Sequence, residues 1–152
     1  ALAAVDEESA KKAARFRTSI KIGQLMDKYA ELMEGESPKA EDKAAMEKEL
    51  LELLKTEPKS MAQAAYSIVM RLGDTATLDF PVQLLDEADK IQTEKPTIPN
   101  DFFRAAIYIR LGDKDKGEEF GKKAIAAVED EAMKKQLSSY LESLKPAKEE
   151  EE

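Results

Sequence analysis

The sequence predicts an all-α protein of about seven helices, on three observations. Apolar residues recur at steps of three and four in successive segments of the 152-residue chain, a spacing that places them along one face of a helix. Glycine and proline are scarce, with six of each, and the loops between periodic segments are expected to be short. No segment shows the strict alternation of apolar and polar residues that is typical of a half-buried strand.

Two helices are predicted in residues 1–58, as an N-terminal helical pair. The first spans about residues 7–34 and ends at Gly35, and the apolar residues expected along one of its sides are Phe16, Ile20, Met26, Tyr29 and Met33. The second is predicted to have Ser37 as its N-cap and Pro38 at its first position, where a missing N–H costs nothing. Its apolar stripe consists of Met46, Leu50, Leu53 and Leu54, and Pro58 is expected to close the segment.

The third and fourth helices are predicted from residues that begin and end helices. Ser60 with Gln63 three residues later has the spacing of a capping box, which satisfies two backbone N–H groups at a helix start. This helix is expected to run to Leu72, with Gly73 as a left-handed stop. The apolar residues of the fourth helix are Leu78, Leu84, Leu85, Ala88 and Ile91.

Three more helices are predicted after a loop at residues 93–99, where two prolines disfavour helical backbone before them. Asn100 or Asp101 is expected to cap the fifth helix, which ends at Leu111 and Gly112. The sixth spans about residues 116–128 and the seventh about residues 131–144.

Composition excludes several classes of enzyme. The chain has no Cys and no His, so it has no cysteine nucleophile, no Cys/His zinc site and no triad with an imidazole base. We predict no cofactor and no metal.

The 24 basic and 32 acidic residues of the chain give a net charge of −8. The acidic run 149–152 contributes half of that charge and is expected to be a disordered tail over residues 146–152. The rest has a mixed charge that favours no nucleic-acid partner, and the absence of a long apolar stretch predicts no membrane span.

A short repeat connects two of the predicted hairpins. The tetrapeptide Arg-Leu-Gly-Asp occurs at residues 71–74 and again at residues 110–113, each time after an apolar helix and before a helix that contains Phe80 or Phe120. The offset of 39 positions lies in the range of stacked helical-hairpin repeats. We therefore expect two helix pairs that stack side by side.

The second hairpin resembles a tetratricopeptide (TPR) unit over residues 99–128. The resemblance rests on the small residues, the aromatic and the Gly-Asp turn at Ala105, Tyr108, Gly112, Asp113, Gly117 and Ala124. The first hairpin keeps the turn but has Tyr66 at the position of a small residue. The resemblance implies TPR-like antiparallel hairpins and a capping helix over residues 59–145, with the N-terminal pair packed against them.

The resemblance also implies an inner groove lined by the first helix of each hairpin, which would bind a peptide. The residues expected to line it are Ser60, Gln63, Ser67, Met70, Arg71, Phe102, Ala106, Ile109 and Arg110. In this groove the two arginines would bind a carboxylate. The alternative is structural: arginine in the last turn of a helix interacts with the helix dipole, and the apolar residues are covered by other helices.

Other charged patterns are interpreted as surface features. The basic run Lys11, Lys12, Arg15, Arg17 and Lys21 suits a nucleic acid or an anionic membrane, but a solvated helix face in an acidic chain is the preferred interpretation. Asp113 to Gly117 fails the register of a calcium loop. The start Ala1, Leu2 and Ala3 has the small-residue pattern of a signal-peptidase site, or is an arbitrary start, and localisation stays open.

We predict a non-catalytic helical-repeat module for protein–protein interaction or scaffolding, with a protein or peptide as its partner. Two alternatives come from other classes. The layout of the chain is similar to that of the helical C-terminal extensions of bacterial thioredoxin-like proteins. The first alternative is therefore an accessory region of a redox protein. The second alternative is a helical ligand-binding protein with a carboxylate-based activity. The oligomeric state is left open.

Overall fold

The computed structural model describes residues 2–35, 38–73 and 77–144, and within these ranges it contains seven α-helices and no strand. The predicted all-α class is therefore confirmed. The helices are α1 (Leu2–Glu34), α2 (Ala40–Leu54), α3 (Pro58–Leu72), α4 (Asp79–Ile91), α5 (Asn100–Arg110), α6 (Lys114–Ala127) and α7 (Glu131–Ser143). No helix in the described part of the chain is long and apolar enough to cross a membrane. The predicted Ser37 cap, Asp74 of the repeat and the predicted acidic tail lie outside the described residues.

The predicted helix ends agree with the structure better than the predicted helix starts do. Gly73 and Gly112 follow α3 and α5 with positive φ angles of 58° and 92°, the backbone region that glycine adopts at little cost. The Arg-Leu-Gly part of the repeat thus ends a helix both times. The connections differ, because α6 begins two residues after Gly112 whereas α4 begins six residues after Gly73.

Several of the predicted helix starts are wrong, and α1 begins at Leu2 where the sequence predicted a start near residue 7. Ser60 lies inside the first turn of α3, whose N-cap is Glu57 and whose first residue is Pro58. The proline begins this helix because its φ is already helical and its missing N–H needs no partner there. Pro99 is the N-cap of α5, and neither Asn100 nor Asp101 caps it. The second helix begins at Ala40, two residues after the predicted Pro38.

The caps of the last two helices are aspartates. The Asp113 side chain accepts a hydrogen bond from the Lys116 backbone N–H at 3.1 Å, and the Asp130 side chain accepts one from Ala132 at 3.0 Å. Each carboxylate satisfies a backbone donor that the first turn leaves free.

The chain divides into two compact units, Ala1–Leu54 and Lys55–Glu152. The first consists of α1 and α2. Tyr29 is only 2% exposed and donates a hydrogen bond from its hydroxyl to Glu47 Oε1 of α2, at 2.8 Å. The prediction that Phe16 and Ile20 share a side of α1 with Tyr29 is wrong, since both are exposed. Counting 100° per residue, they lie on the side of α1 opposite Leu25 and Tyr29.

The second unit consists of α3 to α7, and its core combines large side chains with alanines. The largest buried side chains include Met61, Val69, Phe80, Leu84, Leu85 and Ile107. Fully buried alanines occur in α3, α4, α5 and α6, at Ala65, Ala88, Ala105, Ala106 and Ala124. Small residues at helix contacts let backbones approach closely, which packs the helices without large voids.

Helices α5 and α6 approach each other closely at two glycines of α6. A Cβ added to Gly117 would overlap Cγ1 of Ile109 and lie 3.3 Å from the backbone oxygen of Ala105, and one added to Gly121 would lie 3.1 Å from Leu141 Cδ1. Gly117 meets Ile109 and Gly121 meets Ala105, so the two helices are antiparallel. Beside them, Phe102, Ala124, Val128 and Leu137 form a buried cluster that holds α7.

We expect Gly117→Ala to lower the free energy of unfolding of the second unit by about 1–2 kcal/mol in urea denaturation. Overlap with Ile109 costs about 1–3 kcal/mol, and the better helix propensity of alanine returns up to about 1 kcal/mol. Gly23→Ala in α1 is the control, because a Cβ there has nothing within 4 Å. In an Ile109→Ala background the cost should shrink, and an unchanged stability of Gly117→Ala would contradict the close contact.

Candidate functional site

A group of aromatic side chains lies partly exposed on the second unit. It consists of Tyr66 of α3, Phe102 and Phe103 of α5 and Tyr140 of α7, and we call it the aromatic patch. The centroid of the Tyr66 ring lies 6.0 Å from that of Phe103 and 6.4 Å from that of Tyr140. Phe102 lies 5.7 Å from Tyr140 and 5.6 Å from Phe103. The hydroxyls of Tyr66 and Tyr140 are hydrogen-bonded to each other.

The rotation of α5 decides which ring is available to a ligand. Successive residues of a helix point about 100° apart, so Phe102 is directed into the core and is 6% exposed, while Phe103 is half-buried at the surface. Tyr66 is also half-buried, and Tyr140 is 38% exposed. Three helices that are fixed by the core thus hold three accessible rings, with Tyr66 in contact with both Phe103 and Tyr140.

A hollow of about 360 Å³ adjoins the patch and shares Phe103 with it. It lies beside α3 and the loop before α5, and its lining residues are Lys59, Ala62, Gln63, Gln92, Glu94, Lys95, Pro96, Thr97, Ile98, Asn100 and Phe103. The lining combines apolar side chains with the side-chain amides of Gln63, Gln92 and Asn100. A ligand here can bury an apolar group and form hydrogen bonds.

Hydrogen bonds hold the wall of this hollow. Gln92 donates from Nε2 to the Pro58 carbonyl at 3.2 Å, and Asn100 donates from Nδ2 to Gln92 at 2.8 Å and to Asp89 at 2.9 Å. At the rim Lys59 Nζ lies 2.9 Å from Glu94 Oε2. The hydrogen bond and the charge of Lys59 lower the pKa of the Glu94 carboxyl.

The structure does not bring all nine predicted groove residues to one surface. Phe102 and Ala106 are buried in the core, and Ile109 contacts Gly117 of α6. Ser60, Gln63 and Arg71 are exposed, and Ser67, Met70 and Arg110 are half-buried. Binding of a carboxylate by the two arginines stays a prediction.

The residues predicted from the sequence to form a site do not include Tyr66, Phe103 and Tyr140. Sequence signals pointed to two of the three, Phe103 and Tyr66. Adjacent residues of a helix point about 100° apart, so one of Phe102 and Phe103 was expected to lie nearer the surface than the other. Tyr66 stood where the resemblance expects a small residue, so its ring needed space outside the helix contact.

A second hollow, of about 880 Å³, lies between α6 and α7. Its apolar residues include Ile109, Ile125, Leu141 and Leu144, and its charged ones are Lys114, Glu118, Lys122, Lys134 and Glu142. It is larger than the hollow at the patch, but its lining includes no aromatic ring and no side-chain amide. It therefore presents fewer groups that recognise a specific ligand.

Three carboxylates converge on Arg104, which is 7% exposed. Nη2 donates to Asp86 Oδ1 at 2.8 Å and to Asp89 Oδ2 at 2.6 Å, and Nη1 donates to Asp101 Oδ1 at 2.9 Å. Burial lowers the pKa of the guanidinium, but these hydrogen bonds outweigh it and the pKa is raised. The convergent acids of this unit are thus ion-paired across α4 and α5, an arrangement that stabilises the packing of these helices.

No protein-family model, no curated protein and no solved structure matches the chain. Among the described residues, no group of three or more acidic side chains is placed to hold a metal ion.

We expect Arg104→Met to lower the free energy of unfolding by about 1–3 kcal/mol. Loss of one partner of a buried ion pair typically costs more, but the carboxylates here are 35–57% exposed and water compensates in part. Lys90→Met is the control, since its pair with Glu87 is at the surface, and it should change stability by less than about 0.5 kcal/mol. Asp89→Asn should lower the free energy of unfolding less in the Arg104→Met background than alone. If the effects of the two substitutions simply add, Asp89 and Arg104 do not interact.

We expect Lys59→Met to raise the pKa of Glu94 towards that of an unpaired glutamate, measured by NMR titration of its carboxyl carbon. Because the folded-state pKa is lowered, the pair stabilises the protein above the unfolded pKa, and this contribution is lost as the pH falls through the folded pKa. Lys90→Met should leave the Glu94 pKa unchanged. An equal pKa in the Lys59→Met variant and the parent would mean that the pair does not form in solution.

Proposed function

We propose that the chain is a non-catalytic module that binds a peptide segment of a partner protein at the aromatic patch and its adjoining hollow. The observation that carries the proposal is the contact of Tyr66, Phe103 and Tyr140 across three helices, with all three rings partly exposed. Aromatic side chains supply most of the affinity in many protein interfaces, because they bury a large area and lose little entropy.

The hollow supplies a place for a large apolar side chain of the peptide. At about 360 Å³ it has the size of a small ligand pocket, and Ile98 and Phe103 offer apolar contact there. Gln63 is exposed at its edge, so its amide is available to the peptide backbone. This combination favours a peptide with one large aliphatic or aromatic anchor and hydrogen bonds near it.

The repeated Arg-Leu-Gly sequence supports the proposal that a peptide binds at this surface. The resemblance to TPR units implies that the first helix of each hairpin lines the binding groove, and α3 and α5 occupy those positions in the sequence. Both helices end at the repeated Arg-Leu-Gly with a left-handed glycine, as equivalent helices of two repeats would. Gln63 and Met70, two of the residues predicted to line the groove, lie three residues before and four residues after Tyr66 on α3, which places them on the same face of the helix.

The alternatives receive less support. A carboxylate-based activity needs convergent acids that are free to act, and Asp86, Asp89 and Asp101 are ion-paired with Arg104. No contact in the described residues favours an accessory region of a redox protein over another interaction module.

The proposal is tested with a random peptide library displayed on phage and selected on the full chain. We expect selected peptides to share an apolar anchor, and Gln63→Arg, which places a long charged side chain at the hollow, to weaken their binding at least about tenfold. Gln83→Arg is the matched control, because Gln83 is exposed on α4 and its substitution should leave the affinity unchanged.

A second pair of variants tests the rings themselves. Tyr140→Ala should weaken binding by a similar factor, whereas Phe16→Ala, which removes an exposed ring in the other unit, should not. Equal affinity of Gln63→Arg, Tyr140→Ala and the parent chain, or the recovery of no binding peptide, would refute the proposal.

A further inference from the structure

The first half of α1 presents an exposed stripe with the spacing of a coiled-coil seam. Ser9, Ala13, Phe16, Ile20 and Gly23 follow each other at steps of four and three, the alternation of heptad positions a and d. All five are exposed, Phe16 to 68% and Ile20 to 44%. We call these five residues the α1 seam.

The α1 seam is not the side of the helix that packs on α2. Leu25 and Tyr29 are buried, and at 100° per residue Phe16 and Ile20 lie about 140–180° away from them around the helix axis. Single exposed apolar residues are common on proteins. Here two large ones lie one turn apart on one face, where they form a continuous apolar contact for another helix.

The charge around the seam is of one sign. Residues 9–26 contain five basic residues and no acidic one, in a chain of net charge −8. Lys12 and Arg17 occupy the heptad positions g and e that flank the seam, and these positions set the choice of partner in coiled coils. Lys12 pairs with Glu8 at 3.4 Å, but both side chains are at least 70% exposed. A carboxylate of a partner can therefore replace Glu8 at little cost.

We propose that the α1 seam binds an acidic amphipathic helix of a partner protein. The partner helix would place apolar side chains against Phe16 and Ile20 and acidic side chains opposite Lys12 and Arg17. A second copy of this chain fits less well. Pairing two seams, parallel or antiparallel, would place the positive charges of Lys12 and Arg17 opposite positive charges of the other copy. An anionic membrane also fits less well, because the basic residues surround the helix and leave no broad apolar face.

The test uses two labelled synthetic peptides of three heptads, with Leu at a and d and either Glu or Lys at e and g. Binding to the full chain is followed by fluorescence anisotropy at about 0.05 M and about 0.5 M salt, which changes the screening length severalfold. We expect the Glu peptide to bind at least about tenfold more tightly than the Lys peptide at low salt. The difference should narrow at high salt.

Variants on the exposed face test the assignment without disturbing the core. Phe16→Ala with Ile20→Ala should weaken binding of the Glu peptide at least about tenfold, and Tyr140→Ala in the other unit should leave it unchanged. Lys12→Glu with Arg17→Glu should reverse the preference and favour the Lys peptide, a gain that misfolding cannot produce.

Three outcomes would overturn the inference. The first is equal binding of the two peptides. The second is concentration-dependent self-association, seen by sedimentation, that Phe16→Ala abolishes. The third is binding to vesicles of phosphatidylcholine and phosphatidylglycerol that depends on Phe16 when the Glu peptide does not bind. Because this surface lies in the first unit, failure of the peptide selection at the aromatic patch would not affect it.

Discussion

Helix α5 is enclosed on almost every side, and the packing of the second unit depends on this constraint. Ala106 and Ile107 are buried in the core, Arg104 bonds to carboxylates of α4, and Ala105 and Ile109 contact glycines of α6. A helix can be surrounded in this way only if some of its neighbours approach closely. Glycine and alanine at the contacts allow that approach, since a larger residue on either helix would separate the backbones. The positions of α3, α4, α6 and α7 are therefore set against α5, which also places the rings of the aromatic patch.

Periodicity predicted the helices, but it predicted their rotation less well. The steps of three and four along α5 fit a buried stripe through Phe102 and equally one through Phe103, and only contacts with α6 and α7 select between them. The same ambiguity misplaced Phe16 and Ile20 on the Tyr29 side of α1, because Ile20 and the next residue of the predicted stripe, Met26, are six residues apart and do not share a face. Helix ends were predictable where one residue type determines the backbone, as at Gly73 and Gly112. Helix starts were less predictable, since Pro58 can end one segment or begin the next, and Asn100 bonds to Gln92 and Asp89 instead of capping α5.

The net charge of the chain conceals two local arrangements of opposite sign. Asp86, Asp89 and Asp101 surround one arginine on the second unit, while residues 9–26 of α1 carry only basic charges. Screening confines each of these fields to roughly 10 Å at moderate salt. A partner that approaches α1 is therefore subject to the local positive charge rather than to the average of −8. For this reason composition alone gave no preference for a partner, whereas the positions of the charges on a helix do.

The two proposed binding surfaces differ in what their exposure implies. Tyrosine has a polar end, so Tyr140 can keep its hydroxyl near water while its ring packs against Phe102. Partial exposure of such a ring is compatible with a purely structural role, and the case for the aromatic patch depends on three rings meeting beside a hollow. Phenylalanine has no polar end, and Phe16 is more exposed than Tyr140. Its exposure is not offset by hydration of a hydroxyl, and it lies one turn from Ile20 on a face that α2 does not cover. Burial by a partner would remove that apolar area from water, which is the driving force expected for docking at the α1 seam.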